Sequence, residues 1–322
     1  MPGRPIRPRP AVLAAFLFLG CRFAAAEDLL FEIEDPFRDD RGAGSLVYPL
    51  RSDFEVGDLD LLAFSALRRD DGTVFRAVFA NAIRPPGKEA IDGLGTSRDQ
   101  QARLGFYTLN LDVYIDTDRR PGSGNVAMLP GRLAEVAPPH AWEKVVAVTP
   151  RPEALRASIK RLRVREWKEE ESRKRQLTRG EVRRRKKQIS EELMPLVFFP
   201  TQVRVKGRAL EIFVPREFLG GDADPAWAYV VAVTGARLDQ RFSVPLGWLG
   251  KYPEESSDGL VLPVVPGRDR EAFGGGRESD PLQPPIIDIL VPPGDTQERI
   301  LDDYSSEQER PAQIPGVVPA EM

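Results

Sequence analysis

Apolar and polar residues alternate along the segment 109–116. Leucine, valine and isoleucine occupy positions 109, 111, 113 and 115, and Asn110, Asp112 and Tyr114 stand between them. A repeat of two residues places the apolar side chains on one face of a β-strand and the polar side chains on the other. The pattern predicts a strand, within 106–118, that has one face against a core and one face in water.

Short apolar runs recur along the chain, and turn residues separate them. Asp71-Gly72 lies between the runs 60–68 and 74–80, which is a strong signal for a β-hairpin. Residues 206–208, Lys-Gly-Arg, separate a second pair of runs, and 30 prolines and 27 glycines supply further turns. About eight to ten short strands of this kind predict a mainly β fold, an antiparallel, jelly-roll-like β-sandwich.

The composition changes between Glu153 and Glu192. This stretch holds 15 Lys and Arg against eight Glu, a net charge of +7, whereas the rest of the chain has a net charge of −10. Its apolar spacing predicts helix, so we interpret 153–193 as a charged helical arm inserted into the sandwich. The basic run 183–187 can dock a protein partner or an anionic surface. The alternative is a solvated helix whose Glu and Lys or Arg side chains pair four residues apart.

The two ends of the chain differ from the part between them. Residues 1–26 combine early arginines, an apolar core over 11–20 and three alanines at 24–26, which predicts a secretory signal peptide and an extracytoplasmic protein, secreted or periplasmic. The alternative is a lipoprotein that is anchored through Cys21, the single cysteine. Residues 27–304 then form one β-sandwich module, and the polar, proline-rich residues 305–322 are predicted to be a disordered tail.

Six aspartates stand where the predicted strands end or turn, and carboxylate oxygens are ligands that calcium prefers. They are Asp35, Asp39, Asp40, Asp60, Asp116 and Asp118. If the acidic, glycine-containing opening turn at 38–44 packs against the end of the 106–118 strand, these carboxylates meet, which makes calcium a candidate cofactor. The arrangement is not an EF-hand, since Arg120 and Ala127 stand where further oxygen ligands belong. The alternative is that the aspartates cap backbone N–H groups in turns.

Trp248, Tyr252 and Trp142 are the candidate residues for stacking on sugar rings, because the C–H face of a sugar is apolar. Trp248 and Tyr252 fall in a stretch, 247–252, that is predicted to be a loop, where exposed aromatic residues often serve binding. The alternative is that these side chains pack on the edge of the sandwich. Trp227 lies in a continuous apolar run and is predicted to belong to the core.

A set of short matches, which follow one another in a fixed order, resembles a known family. The matching residues are Asp35-Pro36, Asp39-Asp40, Gly42, Gly44, Tyr48-Pro49, Phe54, Asp58-Leu59-Asp60, 113–118, 122–124, 129–132, Ala141-Trp142, Val214-Pro215, Leu219-Gly220, 227–229, 287–290, Thr296-Gln297 and Ile300-Leu301. They resemble the C-terminal module of glucodextranase, a DOMON-like β-sandwich family related to family 9 carbohydrate-binding modules. The resemblance implies a non-catalytic, extracytoplasmic module that binds carbohydrate or the cell envelope. The helical arm is not a feature that we associate with this family.

Several other chemistries lack the residues that they need. The chain has one histidine, His140, and no cysteine after position 21, which leaves little material for a zinc site or a histidine-assisted nucleophile. Met128 and Met194 do not pair with His140 as haem ligands, and the glycines at 122–124 lack the lysine of a phosphate-binding loop, so we expect neither haem nor nucleotide. Export and a net charge of −3 argue against nucleic acid as a partner.

The sequence therefore predicts a secreted, non-enzymatic module that binds carbohydrate, either a glucan or an envelope glycan, with calcium as a candidate structural ion. The alternative is a structural or adaptor protein of the cell envelope that uses the arm at 153–193 to dock a partner or an anionic surface. A third interpretation makes Asp116 and Asp118 the carboxylates of a hydrolase.

Overall fold

The computed structural model describes residues 28–90, 97–238, 259–278 and 280–322. Its strands are β1 (Asp28–Glu34), β2 (Leu61–Arg69), β3 (Gly72–Phe79), β4 (Leu109–Asp116), β5 (Ala134–Val136), β6 (Lys144–Val148), β7 (Val197–Phe198), β8 (Val203–Lys206), β9 (Ala209–Pro215), β10 (Ala228–Gly235), β11 (Ile286–Ile289) and β12 (Ala312–Ile314). Its helices are α1 (Arg98–Gln101), α2 (Pro152–Ser172), α3 (Arg179–Leu193), α4 (Arg216–Leu219) and α5 (Gln297–Asp302).

Two five-stranded sheets form the body of the structure. The first sheet has the order β1-β2-β3-β9-β8 and is antiparallel throughout. The second sheet has the order β11-β10-β4-β6-β7, and only its β6–β7 pair is parallel. The predicted mainly β, sandwich-like fold is therefore confirmed. A two-residue turn, Asp70-Asp71, joins β2 to β3 and Gly72 already pairs with Arg69, so the hairpin forms where the Asp71-Gly72 signal predicted it.

Aromatic rings fill the space between the two sheets. Phe31, Phe64 and Phe75 come from the first sheet, and Tyr229 comes from β10 of the second. The ring centroids of Phe31 and Tyr229 lie 4.8 Å apart, and those of Phe64 and Phe75 lie 5.3 Å apart. Burying large rings in this way removes much apolar surface from water and holds the two sheets together.

The prediction that the polar face of the 109–116 strand meets water was wrong, because every residue of β4 is buried. A further layer covers that face, and each polar side chain has a partner in it or in β10. The Asn110 Nδ2 atom donates to the Thr234 Oγ1 atom at 3.1 Å, and Asp112 forms an ion pair with Arg132. The Leu129 N–H donates to the Tyr114 hydroxyl at 2.9 Å. An alternating sequence distinguishes the two faces of a strand but does not show whether the polar face is exposed to solvent.

The C-terminal residues supply part of that covering layer, so the prediction of a disordered tail over 305–322 was wrong. Strand β12 pairs in parallel with β5, and the Val317 backbone exchanges two hydrogen bonds with Tyr229 of β10. Ala312 and Ile314 are fully buried. Backbone hydrogen bonds hold these few apolar residues in place. The proline-rich composition of the segment gave no indication of this pairing.

Helices α2 and α3 form a hairpin between β6 and β7 and coincide with the predicted arm. Thr178 is the N-cap of α3, and its side chain and that of Glu181 form the reciprocal capping pair that the sequence indicates. Leu155 and Ile159, at the start of α2, join the core beneath the second sheet. The far half of the hairpin is mostly exposed. Among the described residues, none of the helices is both long and apolar enough to span a membrane.

Candidate functional site

Four of the six predicted metal ligands meet in the structure, and a fifth aspartate joins them. Asp35 directly follows β1, and Asp39 and Asp40 lie in the turn after it. Asp60 directly precedes β2, and Asp288 is the third residue of β11. Strands β1 and β11 are edge strands of the first and second sheets, so this five-aspartate cluster lies where the two sheets meet.

The oxygens of the five-aspartate cluster are close together and largely inaccessible to water. One carboxylate oxygen from each of Asp35, Asp39 and Asp288 lies within 4.8 Å of the other two. Asp40, Asp60 and Asp288 are at most 1% exposed. Such burial is unusual for carboxylates, which are seldom removed from water without a partner of opposite charge or a metal.

One oxygen of each of four carboxylates accepts hydrogen bonds from the chain. The Val291 N–H donates to Asp35 Oδ1 at 2.9 Å, and the Leu61 N–H donates to Asp288 Oδ2 at 2.6 Å. The Arg38 N–H donates to Asp60 Oδ2, and the Tyr48 hydroxyl and the Gly57 N–H donate to Asp40 Oδ2. Within the described part of the chain, five buried oxygens of the cluster receive no hydrogen bond. They are Asp35 Oδ2, Asp39 Oδ1, Asp40 Oδ1, Asp60 Oδ1 and Asp288 Oδ1.

Burial and mutual repulsion both disfavour the charged form of these groups. Burial, with the neighbouring charges of Asp39 and Asp60, raises the pKa of Asp35 to about 8. Burial also raises the pKa of Asp60 to about 7 and that of Asp39 to about 6, and Asp40 adds to both shifts. The pKa of Asp288 lies well above its ordinary value for the same reasons. At neutral pH such a cluster binds protons or a cation.

The other two predicted ligands, Asp116 and Asp118, lie elsewhere, so the expectation that all six aspartates meet was wrong. Asp116 pairs across the sheet with Ala228, whereas Asp288 pairs with Val233 of the same strand β10. Five residues along a strand correspond to roughly 17 Å. The opening turn packs near β11 and not against the end of β4, because its Gly42 N–H is bonded to the Ile287 carbonyl oxygen.

Asp116 and Asp118 form a separate acidic group with Glu143, whose carboxylate oxygens lie within 4.8 Å of theirs. Two of its carboxylates accept hydrogen bonds from the turn that follows β4. The Arg119 N–H donates to Asp116 Oδ1 at 2.6 Å, and the Arg120 N–H and the Ser123 hydroxyl donate to Asp118 Oδ1, each at 2.9 Å. Asp116 is buried, so a sugar cannot reach both carboxylates as glycoside hydrolysis requires.

Of the three predicted sugar-stacking residues, only Trp142 lies in the described part of the chain, and it is buried. Trp142 is only 4% exposed, packs 5.7 Å from the Tyr114 ring centroid, and donates from Nε1 to the Ala127 carbonyl oxygen at 3.1 Å. A ring with these contacts has no open face for a ligand. Trp248 and Tyr252 lie outside the described residues.

A cleft of about 430 Å³ lies beside the five-aspartate cluster, and sequence reasoning missed it. Asp40 and Asp60 line its floor, and Phe37, Arg41 and Asn81 are among its other lining residues. Phe37 is 61% exposed, which is unusual for a large aromatic side chain. Asp288 was missed as well, although a carboxylate within the apolar run Ile286-Ile287-Asp288-Ile289 is a signal that a buried polar partner exists.

The arm carries a second cavity, of about 500 Å³, between α2 and α3. Basic side chains surround it: Lys160, Arg161, Arg165, Lys168 and Lys186. Elsewhere on the arm, acidic and basic side chains pair in the manner of a solvated helix. Lys174 lies 2.7 Å from Glu170, and Lys187 lies 3.6 Å from Glu191, each pair four residues apart.

A family model for the C-terminal binding module, SLH-like, of glucodextranase matches residues 30–317. The chain belongs to this family. Comparison with curated proteins gave no significant match. As a member of the glucodextranase C-terminal module family, the chain is related to a binding module and not to a catalytic domain. The match also extends across the helical arm and through β12, so the C-terminal strand is part of the module.

Proposed function

We propose that this chain is an extracytoplasmic, non-catalytic module that binds carbohydrate, either a glucan or an envelope glycan. The observation that carries the proposal is the match of residues 30–317 to a binding module of an enzyme, glucodextranase, whose name identifies a glucan. The burial of Asp116 supports a non-catalytic role, since the carboxylate pair considered for hydrolysis is closed to a sugar.

Trp248 and Tyr252 are the residues that we propose to stack on the sugar. They fall between β10 and β11, in a stretch with the aromatic and glycine composition of a binding loop. Phe37 is a further aromatic residue with the exposure that stacking needs. Trp142 is omitted from the proposal because its ring is buried.

Affinity electrophoresis tests this proposal. The protein is run through native gels that contain dextran, pullulan or soluble starch, and it is mixed in parallel with isolated cell-wall polysaccharide. Trp248→Ala, Tyr252→Ala and Phe37→Ala are compared with Trp167→Ala, a half-buried tryptophan on the arm. We expect at least one of the first three variants to lose about tenfold or more in affinity, as truncation of a binding hot spot does. Failure of the unaltered protein to bind any of these glycans would contradict the proposal.

The charge of the arm supports a second function. We propose that the arm docks the module on an anionic, phosphate-bearing surface. Its net charge of +7 and the basic cavity between its helices support this. The test is cosedimentation with vesicles of phosphatidylglycerol and phosphatidylcholine. Triple replacement of Lys160, Lys168 and Lys186 by Glu should abolish binding. The control is a triple replacement of Arg204, Lys206 and Arg208 by Glu, which makes the same charge change on the sandwich and should preserve vesicle binding.

Export through residues 1–26 is also part of the proposal. Expression of the full chain in a bacterial host with a working secretion system should yield a protein whose mass corresponds to cleavage after Ala26. A mass that begins at Cys21 and carries lipid would instead support the lipoprotein alternative. Retention of the intact leader would contradict both.

A further inference from the structure

The five-aspartate cluster holds more negative charge than its surroundings neutralise. The Arg38 N–H donates to Asp60 Oδ2 at 3.0 Å, whereas the charge on the Arg38 side chain affects the pKa of Asp60 less than burial and the charges of Asp40 and Asp39 do. The guanidinium of Arg38 lies 4.9 Å from the centroid of the Phe37 ring, on the solvent side. The five oxygens without hydrogen bonds belong to carboxylates that are half-buried or fully buried, and Asp288 is fully buried. An uncompensated group of buried charges is costly, and a bound divalent cation reduces the cost.

We propose that the five-aspartate cluster is a calcium site, with Asp35, Asp39 and Asp288 as direct ligands. Two oxygens on opposite sides of a calcium ion are about 4.8 Å apart, since each Ca–O distance is about 2.4 Å. The three carboxylate oxygens lie within 4.8 Å of one another, so they can share one ion. Asp60 Oδ1 and Asp40 Oδ1 lie among the same charges and are available to complete the shell or to balance the ion.

The chemistry of the donors selects the ion. Every candidate ligand is an oxygen, and such hard ligands favour Ca²⁺ or Mg²⁺ over the metals that prefer nitrogen and sulfur. Mg²⁺ loses its water reluctantly and usually keeps several water ligands, whereas Ca²⁺ accepts six to eight oxygens in flexible geometry. A cluster of this many buried carboxylates offers protein oxygens in place of water ligands and fits Ca²⁺ better. Asp40 and Asp60 are lining residues of the adjacent cleft, so the ion would enter the cluster from this side.

An ion at this position would connect the two sheets. Hydrogen bonds already join them here, because Asp35 binds Val291 after β11 and Asp288 binds Leu61 of β2. Calcium would add a third connection through side chains from both sheets. This role is structural and does not depend on the proposed glycan binding.

The test is a calcium titration of the full chain after treatment with EGTA. Isothermal titration calorimetry gives the affinity and stoichiometry, and thermal unfolding gives the stability. We expect one Ca²⁺ per chain and a melting temperature that rises by about 5 to 10 °C at a hundredfold excess over the Kd. Mg²⁺ at the same concentration should raise it less.

Two variants and a control locate the ion. Asp288→Asn keeps the side-chain volume and an acceptor for the Leu61 N–H but removes one charge, and we expect at least a tenfold loss of calcium affinity. Asp35→Asn, at a less buried position, should lose calcium affinity to the same extent. It replaces Asp288→Asn in the experiment if that variant does not fold. In EGTA both variants should be at least as stable as the unaltered chain, because they relieve repulsion. Asp118→Asn, in the other acidic group, should bind calcium normally.

Three results would overturn the proposal. The first is a chain whose melting temperature and calorimetric signal do not respond to Ca²⁺, which would leave protons as the compensation for the buried charge. The second is a loss of calcium binding in Asp118→Asn but not in Asp288→Asn. The third is a preference for Mg²⁺ over Ca²⁺. None of these measurements contains a sugar, so their outcome is separate from that of the glycan experiment.

Discussion

Replacing Arg132 by methionine should be among the most damaging single substitutions in this protein. The guanidinium is fully buried, and Asp112 beside it is 1% exposed. Arg132 Nε donates to Asp112 Oδ2 at 2.6 Å, and Nη2 donates to Asp112 Oδ1 at 3.2 Å. Nη1 donates to the carbonyl oxygens of Pro130 and Gly259 at 2.8 and 2.9 Å. The substitution therefore leaves one buried carboxylate, the buried Gly259 carbonyl and the half-buried Pro130 carbonyl without these donors.

The size of the loss follows from those unpaired groups. Removing one partner of a buried ion pair costs about 3–5 kcal/mol, because the remaining charge is left in a poorly solvated place. In a domain of this size that corresponds to a fall in melting temperature of about 6 to 20 °C. Adding Asp112→Asn to Arg132→Met removes the stranded charge, so the double variant should be more stable than Arg132→Met alone.

Urea denaturation monitored by circular dichroism measures both variants. The matched control is Arg216→Met, because Arg216 makes two hydrogen bonds to Asp222 but is largely exposed, and exposed pairs contribute at most about 1 kcal/mol. A loss below about 1 kcal/mol in Arg132→Met would refute the reasoning. So would a double variant in which the two losses simply add.

Three further measurements test other regions. Gly259→Ala would place a Cβ atom 1.8 Å from the Pro130 carbonyl oxygen and should lower the free energy of unfolding by at least about 2 kcal/mol. Gly122 is also at positive φ but has no atom within 4 Å of such a Cβ, so Gly122→Ala should lower it by only about 1 kcal/mol. Equal losses in urea denaturation would contradict this. Replacing 163–188 by a short Gly-Ser turn should change the melting temperature by less than about 5 °C, because the arm residues that join the sandwich core lie outside that segment. Burial lowers the pKa of His140, so its NMR titration, the only imidazole signal of the chain, should fall below pH 6.5. The stability that the neutral ring contributes is then present above pH 6.5 and is lost as the pH falls through the folded-state pKa, and a titration at or above 6.5 would contradict the structure.

Local features of the fold were predictable from the sequence because they depend on neighbouring residues. The Asp71-Gly72 hairpin is fixed by turn geometry and by the apolar runs on either side. The N-cap of α3 at Thr178 follows from the spacing between a hydroxyl and a carboxylate three residues later. In both cases the interacting groups are only a few residues apart.

Features that depend on distant segments were not predictable in this way. Asp288 lies more than 220 residues from Asp60, and only the position of β11 at the edge of the second sheet brings them together. The burial of Asp112 depends on Arg132 and on Gly259, which come from two different loops. The separation of Asp116 from Asp35 depends on which end of β4 the opening turn approaches, and the alternating pattern of that strand contains no such information.

Hydrogen bonding alone does not account for the charges of the five-aspartate cluster. The N–H groups of Leu61, Val291 and Gly57 each need an acceptor, and the amide oxygen of an asparagine would provide one without any charge. Aspartate at the same positions adds repulsion and a desolvation cost, which raise the pKa of Asp35 to about 8. In the absence of a cation these negative charges therefore disfavour the folded state, and a bound divalent cation would offset that cost. For this reason the Asp288→Asn variant is informative in both states, since the same substitution should help the stripped protein and harm the calcium-bound one.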